Sequence, residues 1–217
     1  MNRLNLGLWT VPSVLVACGG STTLDGTDIT DAIFSNRSAD CADYTGTFTS
    51  EVRDNFQGVD VVGSVEISTG NGSCTLSSNS IPNHDFGGGD AFFADPAAEV
   101  DATVDLPQNP SPASTPTARS LATDNAVMLN GVKLDLLAAA CYGVGNDPLG
   151  QEKIGCFDDY PWRYDPMHTG NNFGTDTHNA HVQPDGAYHY HGSPEALFDT
   201  TGETESGVIG FAADGFP

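Results

Sequence analysis

"DTHNAHVQPDGAYHYHG", residues 176–192, is the stretch on which the reading of this chain turns, because it gathers four of the six histidines into one short window. Its last part, "GAYHYHG" (186–192), alternates phenol and imidazole side chains. In an extended chain successive side chains point to opposite faces, so Tyr188 and Tyr190 share one face and His189 and His191 the other. Two imidazoles at i and i+2 on one face can share a metal ion. Asp185-Gly186 is a tight-turn pair just upstream, placed to fold the preceding residues back toward the strand. His178 and His181, three apart on a turn, can then converge on the same point. Asp176 and Asp165 are candidate acidic ligands, or acceptors that fix imidazole orientation.

An imidazole cluster suits copper or zinc. The same residues could serve catalysis, with a histidine as general base oriented by an aspartate. No G-x-S-x-G element supplies a nucleophile, so a hydrolytic role requires a metal-activated water. A strand whose histidines satisfy local hydrogen bonds accounts for the same letters. Three function classes therefore stand: a metal-binding protein, a metal-dependent enzyme (hydrolase or oxidoreductase), and a structural or adhesion module.

Around this window the chain reads as β-rich. "TGTFTSEV" (45–52), "VDVVGSVEIS" (59–68) and "CTLSSNSIPNH" (74–84) carry alternating β-branched residues, and "STGNGS" joins the second to the third. "AVMLNGVKLD" (126–135) places Asn130-Gly131 between apolar runs, the signature of a hairpin with a type I′ turn. "SPEALF" (193–198) predicts a short helix with Ser193 as N-cap and Pro194 in its first turn. With 25 glycines and 13 prolines, the expected fold is a mainly antiparallel β-rich domain with long loops and at most short helices. Residues 95–118, rich in Pro, Ala, Ser and Thr, read as a linker or a long surface loop.

Lys+Arg 7 against Asp+Glu 29 leaves a formal charge of -22, which repels phosphate backbones and argues against nucleic-acid binding. The acids of "DFGGGD" (85–90) and "CFDDYPWRYD" (156–165) could offer oxygens to Ca²⁺, a weaker expectation than copper or zinc because neither matches EF-hand spacing. Tyr160, Trp162 and Tyr164 read as core aromatics before they read as a ligand cleft.

The N-terminus carries an address. Arg3, an apolar stretch from Leu4 to Ala17 too short to span a bilayer, and small residues before Cys18 form a secretory signal. "LVAC" (15–18) resembles the bacterial lipobox, which implies cleavage before Cys18 and acylation there. Residues 1–17 are then a signal peptide and 18–40 a flexible tether. The membrane is contacted through the lipid anchor alone, and the protein sits in the cell envelope, at the outer membrane or cell surface. Setting Cys18 aside, Cys41, Cys74, Cys141 and Cys156 form an even set suited to an oxidising compartment. Of three possible pairings, Cys41–Cys74 and Cys141–Cys156 close the most modest loops.

Taken together, "GAYHYHG", the upstream "DTHNAH" and the downstream "DGFP" (214–217) resemble the bacterial YHYH-domain proteins, named for the tetrapeptide at 188–191. "NSIPNHDF" (79–86) and "AVMLNGVKLD" are similar to further elements of that family, so the resemblance spans about 60–217. It implies one domain over 41–217 with 95–118 as an insertion loop, and it names no activity. It also recruits His84 as a further histidine for the cluster. Where the family pattern reads D-x-C-x-G-H, this chain has His178 in place of the cysteine and Ala180 in place of the glycine, while Asp176 and His181 are kept. The pattern continues beyond D-G-F-P with I-Y-G, which leaves open that the chain is a fragment.

Overall fold

A computed structural model of the chain describes residues 25–88, 96–118, 123–135, 140–141, 153–154, 166–167 and 174–217. Two five-stranded sheets share the core. The first is built from β1 (Thr27–Asp28), β2 (Gly46–Asp54), β3 (Val59–Gly70), β4 (Ser73–Ser78) and β5 (Ala102–Pro107), in that spatial order. Strands β2 to β5 form an antiparallel meander, and β1 joins the edge in parallel with β2. The second contains β6 (Ala126–Met128), β7 (Lys133–Leu134), β10 (Ala180–Val182), β11 (Tyr188–Tyr190) and β12 (Gly210–Ala212), ordered β10-β11-β7-β6-β12. Between β7 and β10 in sequence, β8 (Ala140–Cys141) and β9 (Lys153–Ile154) pair as a short ribbon. The described helical turns are 3-10 turns at Cys41–Tyr44 and Glu195–Leu197, so the fold is mainly β. Among the described residues, no helix is long and apolar enough to cross a membrane.

The alternation that predicted the strands is what buries them. Val65 and Ile67 of β3 point inward while Glu66 and Ser68 face solvent. They pack with Leu76, Leu106 and Cys74 against Val127, Leu129 and Phe211 of the second sheet. A second cluster gathers Val52, Ile81 and Phe86 against Met128, Val132, Tyr188, Tyr190 and Leu197. Cys41 and Cys74 are disulfide-bonded and pin the 3-10 turn to β4. The expected partner bond, Cys141–Cys156, falls on side chains outside the described residues, as do residues 1–17, Cys18, the 160–164 aromatics and Asp165.

Several expectations are corrected. The Pro-rich stretch 95–118 is neither linker nor insertion loop throughout: Ala102–Pro107 pairs with β4 over its full length, and Leu106 is fully buried. The tether expected over 18–40 is docked over its described part. Ile29 enters the core, and the Asn83 amide donates to the carbonyls of Ile29 (2.9 Å) and Ala32 (3.3 Å). Val208 N–H donates to the Asn36 carbonyl at 2.8 Å, tying the same segment to the C-terminal region. "SPEALF" forms only a 3-10 turn, with Pro194 at the cap and no side-chain capping bond from Ser193.

The hairpin at 126–135 is present, yet its turn is not type I′. Gly131 has φ +82 while Asn130 is not among the residues with positive φ. Gly131 N–H donates to the Met128 carbonyl (2.9 Å) and Met128 N–H to that of Val132 (2.8 Å), a three-residue loop with a glycine bulge. The type I′ geometry occurs instead between β3 and β4, where Asn71 (φ 54) and Gly72 (φ 80) join the paired residues Gly70 and Ser73.

Candidate metal centre

The YHYH strand runs through the interior with both faces covered. Tyr188, His189 and Tyr190 are 0%, 1% and 0% exposed, so every polar atom on either face needs a partner inside the protein. Upstream, the turn over 183–186 returns the chain: Gly186 N–H donates to the Gln183 carbonyl and Gln183 N–H to that of Ala187, each at 2.8 Å. Gly186 has φ +96, and a Cβ there would lie 2.5 Å from the Cβ of Ala98, so only glycine fits. The turn sets β10 antiparallel to β11 with His181 opposite His189.

On one face, three imidazoles converge. Nε2 of His191 lies 2.9 Å from Nε2 of His189 and 3.2 Å from Nε2 of His181. One ligand atom from each of the three lies within 4.8 Å of the others, so the group could hold a metal ion. The opposite ring nitrogens face backbone carbonyls: Nδ1 of His191 donates to Asp135 (2.6 Å) and Nδ1 of His181 to Gly174 (3.0 Å). A longer contact, 3.5 Å, joins Nδ1 of His189 to the Ala187 carbonyl. Carbonyls only accept, so the protons of His181 and His191 sit on Nδ1 and their Nε2 lone pairs face each other at 3.2 Å.

Burial keeps the rings of His189 and His191 neutral. Burial, then the neighbouring imidazoles, hold His189 well below the usual histidine range. His191 is pushed down to about 3, by burial first and by His181 next. Lys133 of β7, in register with His189, acts in the same direction on both; its ammonium pairs with Asp124 at 3.2 Å.

The other face of the strand carries a different network. The Tyr190 phenol donates to Nε2 of His84 at 2.7 Å, and Nδ1 of His84 donates to the Asp85 carbonyl at 2.8 Å. The Asn130 amide donates to Tyr190 Oη and to the Asn83 side chain, each at 3.0 Å, while Asn130 Oδ1 accepts from Val132 N–H. Tyr188 donates to Asp176 Oδ2 at 2.8 Å. Burial above all lowers His84 to about 4 and raises both tyrosines well above the ordinary phenol value.

Of the six residues expected at the metal, the structure brings together His181, His189 and His191. His84, His178 and Asp176 lie with the tyrosine face. The expected convergence of His178 with His181 does not occur: the His178 ring lies 4.2 Å (centroids) from that of His84. Asn179 between them has φ +61, which turns the chain so that the two side chains diverge. Asp85 of the expected calcium turn instead accepts Arg53 N–H at 2.8 Å. Sequence reasoning missed Asn83 and Asn130 because Pro-Asn and Asn-Gly read as turn signals. It also missed the carbonyls that fix the rings, since every residue carries one.

Fold and centre define a β protein with a histidine triad on a buried strand of its second sheet. The family described as YHYH protein matches residues 103–217, more than half of the chain, and the chain belongs to that family. The match takes in the whole second sheet and the triad; it begins after His84, a shorter span than the resemblance over 60–217 implied. Neither the curated proteins nor the solved structures contain a match.

Proposed function

We propose that this protein binds one transition-metal ion, copper or zinc, through Nε2 of His181, His189 and His191. The observation that carries the reading is the convergence of three Nε2 atoms, those of His189 and His181 at 2.9 and 3.2 Å from that of His191, with the Nδ1 protons of His181 and His191 directed to carbonyls. One cation among the three nitrogens draws on all of their lone pairs, including the facing pair of His181 and His191. With metal–nitrogen bonds of about 2.0–2.1 Å, a tetrahedral site needs nitrogens about 3.3 Å apart, close to the two separations from His191. Neutral imidazoles suit copper and zinc, whereas calcium takes oxygen donors. Rings held by carbonyls at Nδ1 match the way metal-binding histidines are oriented and made more basic.

The signal-like residues 1–17, the lipobox cysteine Cys18 and the surplus of acids support placing this activity in the cell envelope, on a lipid-anchored protein. Elemental analysis of natively purified protein, with zinc and copper titrations followed by thermal melts, tests the metal reading. About one equivalent of metal and a metal-induced rise in midpoint that disappears in the double variant His189→Ala, His191→Ala are expected. Protein without stoichiometric metal, whose melt ignores both ions, refutes it.

A further inference from the structure

We propose that Asp176, the acid expected at the metal, is instead the positioning residue of the triad, acting on His181 from the opposite face of the sheet. The proposal rests on the metal reading above for its importance, and on hydrogen bonds alone for its geometry. Asp176 is 6% exposed, and its carboxylate takes four hydrogen bonds. Oδ1 accepts from the backbone N–H of His178 (2.9 Å) and Ala180 (3.2 Å), while Oδ2 accepts from the Tyr188 phenol (2.8 Å) and Gly87 N–H (3.0 Å). All four partners are donors, which suits an ionised, acceptor-only carboxylate.

These bonds fix two things that the triad needs. Asp176 N–H also donates to the Ala180 carbonyl at 2.8 Å, so side chain and main chain together close the 176–180 turn immediately before His181. Two residues before Asp176 lies Gly174, whose carbonyl takes the Nδ1 proton of His181. The carboxylate therefore sets the backbone from which the His181 ring departs and the chain that carries its acceptor. Through Tyr188 it also binds the residue next to His189, so β10 and β11 are held in the register that makes His181 face His189. The His191 main-chain N–H meets the Asn179 carbonyl of the same turn at 2.8 Å, but its ring has a separate acceptor, the Asp135 carbonyl after β7.

The separate ring acceptors of His181 and His191 distinguish positioning from a general folding role. In the metal-free full chain labelled with ¹⁵N-histidine, slowly exchanging Nδ1 protons are expected for both His181 and His191. Asp176→Ala removes the His181 signal, leaves that of His191, and weakens zinc binding by about 10- to 100-fold, the usual effect of losing an outer partner of a ligand. Asp176→Asn keeps an acceptor for the His178 and Ala180 amides, so it restores the His181 proton and brings zinc affinity within a few-fold of the parent. Retention of both proton signals in the alanine variant overturns the proposal; so does loss of both together. Should that variant fail to fold, hydrogen exchange of the parent decides: the His178 and Ala180 amides must exchange together with the His181 Nδ1 proton, and much faster amide exchange refutes the clip. A parent that binds no zinc sinks the metal reading, while the imidazole signals still judge Asp176.

Discussion

Acid sensitivity of the metal-free protein follows from histidines buried in the neutral form. His84 is held down to about 4 and His191 to about 3, against 6.5 for an ordinary histidine, in both cases mainly by burial. Above pH 6.5 both states are neutral at these positions and no stability depends on them. As pH falls below 6.5 the unfolded chain takes up protons that the folded chain refuses, and the folded state loses about 1.4 kcal/mol per pH unit per histidine. The loss ends only when pH passes the folded values, near 4 for His84 and near 3 for His191. Between pH 6.5 and 5 each contributes roughly 2 kcal/mol, about 4 kcal/mol together, a large part of the roughly 5–15 kcal/mol that holds a domain folded. His189 shifts in the same direction and steepens the slope. Asp199, depressed by its bonds to Thr201 and Thr204, changes stability only below the ordinary carboxylate range and does not enter this window. The assay is urea unfolding in chelator at pH 7, 6 and 5. His84→Gln should remove about 1.4 kcal/mol per pH unit from the slope. A free energy that stays level within about 1 kcal/mol from pH 7 to 5 would show that the folded protein protonates these rings freely, and the buried neutral triad would be wrong.

Three further outcomes are expected. Zinc affinity should change by no more than about fourfold between pH 8 and 6, because His189 and His191 are already neutral; three histidines of ordinary pKa would lose about seventyfold over that range. Tyr190→Phe leaves His84 Nε2 and one Asn130 proton without their partner and should cost about 1–3 kcal/mol in urea unfolding, with zinc affinity unchanged because the phenol lies on the other face. Reduction of Cys41–Cys74, which closes a loop of separation 33, should cost about 4 kcal/mol by loop entropy, read as a lower denaturation midpoint in reducing buffer.

How much of this was legible in the sequence depended on whether a residue's role was local. Alternation in "AYHYH" was enough to put His189 and His191 on one face, and Asp185-Gly186 was enough to bring His181 back against them. The same dipeptide, Asn-Gly, stands at 71–72 and 130–131; type I′ geometry was expected at the second and occurs at the first. Asn71 sits at an exposed hairpin tip and adopts positive φ freely, whereas the Asn130 side chain is claimed by Val132, Asn83 and Tyr190. Composition misled at 25–40 and 102–107, where polar, small or Pro-flanked residues hide single buried anchors such as Ile29 and Leu106. Those anchors are defined by what the opposite sheet presents, a relation that no window of sequence contains.

The tetrapeptide at 188–191 joins two problems that one strand must solve at once. Its tyrosines bury two phenols, and that face is satisfied inside the protein by His84, Asn130 and Asp176. Its histidines bury two imidazoles whose Nδ1 sides meet carbonyls, leaving the mutual approach of acceptor nitrogens with His181. A proton added between His181 and His191, whose Nδ1 atoms already donate to carbonyls, would ease their contact and place a buried positive charge beside His189 and near Lys133, the change that burial opposes. One metal ion eases all the contacts together and can draw on three neutral donors for its charge. Tyrosine and histidine substitutions must therefore part company in experiment. Loss of a phenol changes stability at constant metal affinity, and loss of an imidazole from the triad removes metal affinity while relieving lone-pair repulsion in the metal-free state.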